Sequence, residues 1–175
     1  MAEWQKRVSE YKERLVAINR ITKVVKGGRR FGFAALVVVG NEKGSIGVGA
    51  GKSKQVPNAI KKATQDATRN LVKISLKDGR TLHHDVKGRN GSGKVIMRSA
   101  PAGTGIIAGG PIRAVCDVLG IQDIVAKSVG SANPHNVVKA SLAALLSQAS
   151  PKLISAMRGK KISAIVSKRE NTKWN

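Results

Sequence analysis

The stretch Gly88-Arg89-Asn90-Gly91-Ser92-Gly93-Lys94 sets glycines and a lysine at the spacing of a phosphate-binding loop. Such a loop cradles phosphates on backbone N–H groups, and a hydroxyl after its lysine holds Mg²⁺. Val95 stands at that position here. Val95-Ile96-Met97 also reads as a strand, not as the helix whose N-terminus would face the phosphates. Gly51-Lys52-Ser53 has the ending of the same loop, but Ile46 occupies its first glycine position. Gly103-Thr104-Gly105-Ile106-Ile107-Ala108 fits the looser dinucleotide fingerprint and precedes a helix. No clear βαβ unit with an acidic residue about twenty positions on accompanies it. It reads as a flexible loop and a helix N-terminus, open to an anion or a partner protein.

Catalytic and metal constellations are not expected. His83 and His84 are adjacent and would point apart on a strand, and His135 lies at a helix start. One cysteine and three histidines give no zinc spacing. The carboxylates are scattered, with no acid pair for general acid–base work. Cys116, on a helix with apolar neighbours, reads as core. The expectation is no enzyme, no cofactor and no metal.

The basic loop at residues 20–30 is the strongest local signal. It gathers Arg20, Lys23, Lys26, Arg29 and Arg30 around Gly27 and Gly28, with no acid among them. Glycines let a backbone approach phosphates, and the cations neutralise them. Phe31 and Phe33 flank the loop; Phe31 is placed to touch a base or sugar, while Phe33 reads as core. Lys52, Lys54, Lys61, Lys62, Arg69, Lys87, Arg89 and Lys94 extend the candidate RNA-binding set.

Those residues need elements to hold them. Val16, Ile18, Ile21 and Val24 partly alternate with polar residues, predicting a strand over residues 15–25. Gly27-Gly28 marks the turn. The run at residues 33–39 reads as a buried strand, Asn41-Glu42-Lys43-Gly44 as a turn, and residues 45–51 as a third strand. The period then changes: Val56, Ile60, Ala63, Ala67 and Leu71 share one helix face, with Pro57 in the first turn. Lys77-Asp78-Gly79-Arg80 is a hydrophilic break and a candidate boundary.

Beyond it, residues 85–87 and 94–98 read as strands around the glycine loop 88–93. Gly109-Gly110-Pro111 opens a helix that Gly120 ends. Residues 123–129 read as a strand, and Asn133-Pro134 and Ser150-Pro151 open two more helices, the second ending at Gly159. The result is an α+β chain of two small units. The expected organisation is an N-terminal arm at 1–14 (a loose helix or a mobile segment), units at 15–76 and 77–159, and a mobile basic tail at 160–175.

Bulk composition agrees with a polyanion-binding role. The 175 residues hold 32 Lys and Arg against 10 Asp and Glu, a net charge of +22. A compact body with that excess repels itself until a polyanion neutralises it, and nucleic acid is the commonest one. No apolar run approaches the roughly 20 residues that span a bilayer. The start has no apolar signal core and carries Glu3, Glu10 and Glu13, which points to a cytosolic address. A single cysteine suits a reducing compartment. With only 3% aromatic residues, a sheet paved with base-stacking aromatics is disfavoured, and backbone and shape readout are expected.

Two sets of residues carry a family resemblance. Val24-Val25-Lys26-Gly27-Gly28-Arg29-Arg30-Phe31, then Leu36-Val37-Val38-Val39-Gly40 and Gly49-Ala50-Gly51-Lys52, closely resemble the first domain of the bacterial ribosomal S-five family. Gly103-Thr104-Gly105-Ile106-Ile107-Ala108-Gly109-Gly110 with Arg113-Ala114-Val115, followed by Gly130-Ser131-Ala132-Asn133-Pro134-His135-Asn136-Val137-Val138, resembles that family's signature. The resemblance covers residues 15–159.

It implies a double-stranded-RNA-binding-like first domain and a small second domain with a left-handed βαβ crossover. It also implies binding of small-subunit rRNA, stabilisation of head against body, and an influence on translational accuracy with S-four and S-twelve. Contact with S-eight and a place near the mRNA path go with it. By position, residues 20–30 match the family's rRNA-contacting loop, and Gly105 and Arg113 match positions at its S-four interface. His135 stands where an apolar residue is common. A general double-stranded RNA or nucleoid-binding module is the alternative, and a nucleotide-dependent enzyme a distant third.

Overall fold

The computed structural model describes residues 11–171. Residues 1–10, with the expected arm's Trp4 and Val8, and residues 172–175 of the tail lie outside the described residues. The first unit holds β1 (Lys12–Val25), β2 (Gly28–Gly40), β3 (Ser45–Ser53), α1 (Val56–Arg69) and β4 (Val72–Lys73). The second holds β5 (Val86–Asn90), β6 (Gly93–Ser99), β7 (Ile106–Ile107), α2 (Gly110–Leu119), β8 (Ile124–Gly130), α3 (Pro134–Leu146), α4 (Pro151–Arg158) and α5 (Ile162–Asn171). Two four-stranded sheets result, in the orders β1-β2-β3-β4 and β5-β6-β8-β7. Among the described strands only β7 and β8 run parallel, joined through α2.

The unalternating run on β2 has a physical reason: both faces of the strand are covered. Ala35, Val37 and Val39 pack against Ala59, Ala63 and Ala67 of α1. Leu36 and Val38 turn the other way, into a cluster with Ile46, Val115, Leu119, Val95 and Met97. The second core therefore spans both units, and the break at Lys77–Arg80 is a turn closed by a bridge between Lys77 and Thr81.

Helix α1 lies unusually close to β3. A Cβ on Gly47, Gly49 or Gly51 would sit 2.0, 2.2 and 2.3 Å from the carbonyl oxygens of Ala67, Ala63 and Ala59. Glycine every second residue on the strand thus meets alanine every fourth residue on the helix. The units also meet at the end of α2. Its last carbonyls lack helical partners, and the N–H groups of Glu42 and Gly44 donate to Val118 and Leu119 at 3.0 and 3.2 Å. Gly120 closes the helix at φ 89, and a Cβ there would lie 2.1 Å from the Glu42 oxygen.

The four helices α1 to α4 start at their first-turn proline (Pro134, Pro151) or one residue before it (Pro57, Pro111). Asn133 and Ser150 accept capping hydrogen bonds from the N–H groups of His135 and Leu153.

Other expectations need correction. Strand β1 begins at Lys12, inside the stretch assigned to the arm, because Lys12 to Arg14 continue the ladder opposite Gly40, Val39 and Val38. The six-residue loop at 88–93 is a tight hairpin turning at Gly91-Ser92. Gly88 is a strand residue whose missing side chain admits α3, since a Cβ would lie 2.1 Å from the Ala140 oxygen. His83 and His84 occupy a bend, not a strand. The His83 N–H donates to Gln148 Oε1 at 3.1 Å and His84 Nε2 accepts from the Ala149 N–H at 3.1 Å, fastening the bend to the end of α3. The tail expected to be mobile carries α5, with Ile165 buried.

Candidate nucleic-acid interface

The basic loop is the end of a protruding ribbon. Strand β3 accompanies β2 only as far as the Phe33–Ser53 pair. Beyond it, Gly28–Gly32 pair with Ile21–Val25 alone, and the turn is Lys26-Gly27. Gly28 takes φ 127, a value that favours glycine.

Cross-strand partners share a face, so the register sorts the side chains. One face carries Lys23 opposite Arg30 and Ile21 opposite Gly32, with Lys52 beside Ala34. All of these but Ala34 line an open hollow of about 320 Å³, together with Thr22, Phe31, Ser53 and Lys54. Gly32 floors it, Ile21 supplies its apolar wall, and four cations rim it. The other face carries Arg20 opposite Phe33 and Thr22 opposite Phe31. There the Arg20 guanidinium lies 4.0 Å from the centre of the Phe31 ring, a cation–π stack.

Like charges directly opposite each other destabilise a strand pair. Lys23 faces Arg30, and in the second unit Arg89 faces Lys94. Among the described residues no acid pairs with any of these cations, and six of the acids are engaged elsewhere. Glu42 pairs with Lys12, Asp117 with Arg14 at 3.8 Å, Asp123 with Arg80 at 2.8 Å and Asp85 with Arg98 at 3.9 Å. Glu13 accepts from the Thr64 hydroxyl and Asp66 from the Ala50 N–H. Among the described residues, none of the thirteen candidate cations of the RNA-binding set forms an ion pair, and all are exposed. Such a surface gains most from a polyanion.

The structure brings Lys23, Arg30, Lys52 and Lys54 around one hollow and places Lys26 and Arg29 at or beside the tip. Lys61, Lys62 and Arg69 project from α1. Lys87, Arg89 and Lys94 belong to the second sheet, on its face away from Val95 and Met97. Strand alternation adds Arg98 and Lys127 to that face, through the Lys87–Ile96, Ile96–Lys127 and Arg98–Val125 pairings. The strand period of two was the signal that identifies them. Ile21 and Gly32 also escaped the sequence reading, since neither carries charge.

Gly105 adopts φ 73 with open space where a side chain would be, and its N–H donates to Asp123 Oδ1 at 2.9 Å. Asp123 is buried and also accepts from Arg80 Nη1. The Gly105 N–H, helped by the Arg80 guanidinium, holds this carboxyl below the usual carboxylate range against the opposing effect of burial. Arg113 is exposed on α2, a few residues beyond this loop.

The phosphate-loop resemblance at Gly88–Lys94 dissolves into the β5–β6 hairpin, with Val95 buried in the core. The Gly103–Ala108 fingerprint is corrected in part. A βαβ unit is present, and Asp123 stands about twenty residues on. However, strand β7 follows the two glycines when it would have to precede them, and Asp123 is already bonded to Gly105 and Arg80. The Cys116 thiol is fully buried and pushed up to about 12, chiefly by burial and then by the Asp117 charge, so it is not a nucleophile. No described group of His, Cys, Asp or Glu is arranged to hold a metal ion, and no helix among the described residues is long and apolar enough to cross a membrane.

Comparison with known proteins settles the family. The model of ribosomal protein S5, N-terminal domain, matches residues 11–75, and that of ribosomal protein S5, C-terminal domain, matches residues 88–158. The chain belongs to the ribosomal protein S5 family. It is 66% identical over 157 residues to small ribosomal subunit protein uS5 of Pelagibacter ubique, covering 90% of this chain and 92% of that one. The protein of the same name from Methylorubrum extorquens is 60% identical over 95% of this chain and 87% of its own. That from Dinoroseobacter shibae is 59% identical over 91% and 83%. S5 proteins are structural and not enzymes, and their two domains account for both sheets of this fold.

Proposed function

We propose that this chain is a cytoplasmic constituent of the small ribosomal subunit that holds rRNA with the β1–β2 ribbon. The observation that carries the reading is the ribbon itself: Lys23 faces Arg30 across it, and among the described residues no acid pairs with either. Relatives named as small-subunit proteins across most of their length support the same address. Lys52, Lys54, Lys61, Lys62 and Arg69 extend the contact along β3 and α1, and Lys87, Arg89 and Lys94 add a second one. The loop of Gly105 and the start of α2 with Arg113 face S-four, and S-eight is a further neighbour. Through these contacts, near the mRNA path, the chain steadies the head against the body and contributes to accuracy with S-four and S-twelve.

Replacing Lys26 and Arg29 together with glutamate tests the ribbon's role. The double variant is expected to bind small-subunit rRNA more weakly and with a shallower salt dependence, by about one unit of log–log slope per lost phosphate contact. Unchanged affinity across a salt series would remove the ribbon from the interface.

A further inference from the structure

The ribbon's two faces offer different chemistry: one gathers the cations around the hollow, and the other carries Arg20, Arg29 and the Phe31 ring. Lys23, Arg30, Lys52 and Lys54 surround the Gly32 hollow on one side. On the other, Phe31 is 51% exposed in a chain with only two phenylalanines. The contrast with Phe33 is informative, since Phe33 packs against the α1 cluster. Among the described residues no third strand pairs with the ribbon where Phe31 sits and the ring stays half exposed, so folding gains little from an aromatic ring there. What the ring does is lie under the Arg20 guanidinium, whose carbon sits 4.0 Å from the ring centre. No acid lies between Glu13 and Glu42 to draw Arg20 away. A guanidinium held over a ring keeps its outer plane and its edge donors free.

We propose that the Arg20–Phe31 stack is a docking platform for a single unpaired RNA base. The ribbon then works as a two-sided blade, with backbone phosphates on the hollow side and one unstacked nucleotide on the other. This rests on the reading of the ribbon as an rRNA contact and specifies what it recognises: a bulged or looped nucleotide beside a duplex. Aromatic rings and arginine planes are the usual seats for such bases, whereas phosphate contacts alone would not select them.

The test uses the full chain and two short RNAs, a plain duplex and the same duplex with one bulged 2-aminopurine. Binding is measured for the natural protein, Phe31→Leu, Arg20→Lys and the Lys26→Glu/Arg29→Glu pair. The natural protein is expected to favour the bulged RNA about tenfold, with altered 2-aminopurine fluorescence on binding. Phe31→Leu keeps apolar bulk and every charge. It should abolish that preference while leaving duplex affinity and its salt slope intact; Arg20→Lys, which keeps charge but loses the plane, should reduce the preference. No preference in the natural protein, or the same preference in Phe31→Leu, overturns the proposal. If the glutamate pair alone loses affinity, the ribbon remains an RNA contact without a base platform. If the glutamate pair also binds normally, the ribbon reading falls with it.

Discussion

Single residues carry more of the account than their types suggest. Lys23 and Arg30 matter because they are opposite each other, a relation set by register and not by proximity in the chain. Asp123 matters because it draws together Arg80, from the turn between the units, and the Gly105 backbone, from the loop before α2. Its carboxyl is held below its ordinary range, so the folded state binds this proton less readily than the unfolded chain does. The resulting stabilisation is in full force above the unfolded pKa of about 3.9, and is lost as pH falls through the lower folded value. Asp123→Asn should therefore melt below the natural protein at pH 7, and the gap should narrow as pH drops below about 4. Parallel melting temperatures across that range would contradict the role given to the carboxylate. The cations of the ribbon could be read directly from the sequence. The importance of Asp123 could not, because nothing in a lone acid shows which backbone N–H it will meet.

At the scale of elements, glycine was the least legible residue. Gly120 as a helix end followed from local conformational rules, and so did a hairpin at the Gly27-Gly28 pair, although the turn itself is Lys26-Gly27 and Gly28 opens β2. Gly88 reads as loop by the same rules, yet it lies in a strand, because its role is close approach to α3. Gly47, Gly49 and Gly51 show the same role on β3. Gly49→Val should cost roughly 3 kcal/mol or more, because the new side chain meets α1 backbone that cannot move aside cheaply. Gly27→Ala, with nothing near its Cβ, should stay within about 0.5 kcal/mol of the natural protein. Denaturant unfolding of the two variants checks both figures, and equal midpoints would refute the packing argument. Strands β4 and β7, two residues each, are too short to show any period. Proline in the first turn, by contrast, located four helices because it acts locally and has few other places to go.

For the molecule as a whole, charge and core give different kinds of information. The net charge of +22 announced a polyanion partner, and the ordered motifs announced the family. The hydrophilic turn between the units suggested a boundary, but the larger core runs through it from Leu36 and Val38 to Val115 and Leu119. Periodicity reports that a strand is buried; it does not say which element buries its second face. Ribbon, hollow and second basic sheet are thus carried on one connected body. The most direct test of that account is sucrose-gradient sedimentation of a lysate, with immunodetection of the chain, at low and at moderately high salt. Phosphate contacts made without specific fit weaken by about 10³-fold or more between 50 and 200 mM salt for six or more contacts. Co-migration with the small subunit at both salts is the predicted result. Release to the top of the gradient at the higher salt would contradict a ribosomal role and leave a general binder of duplex RNA.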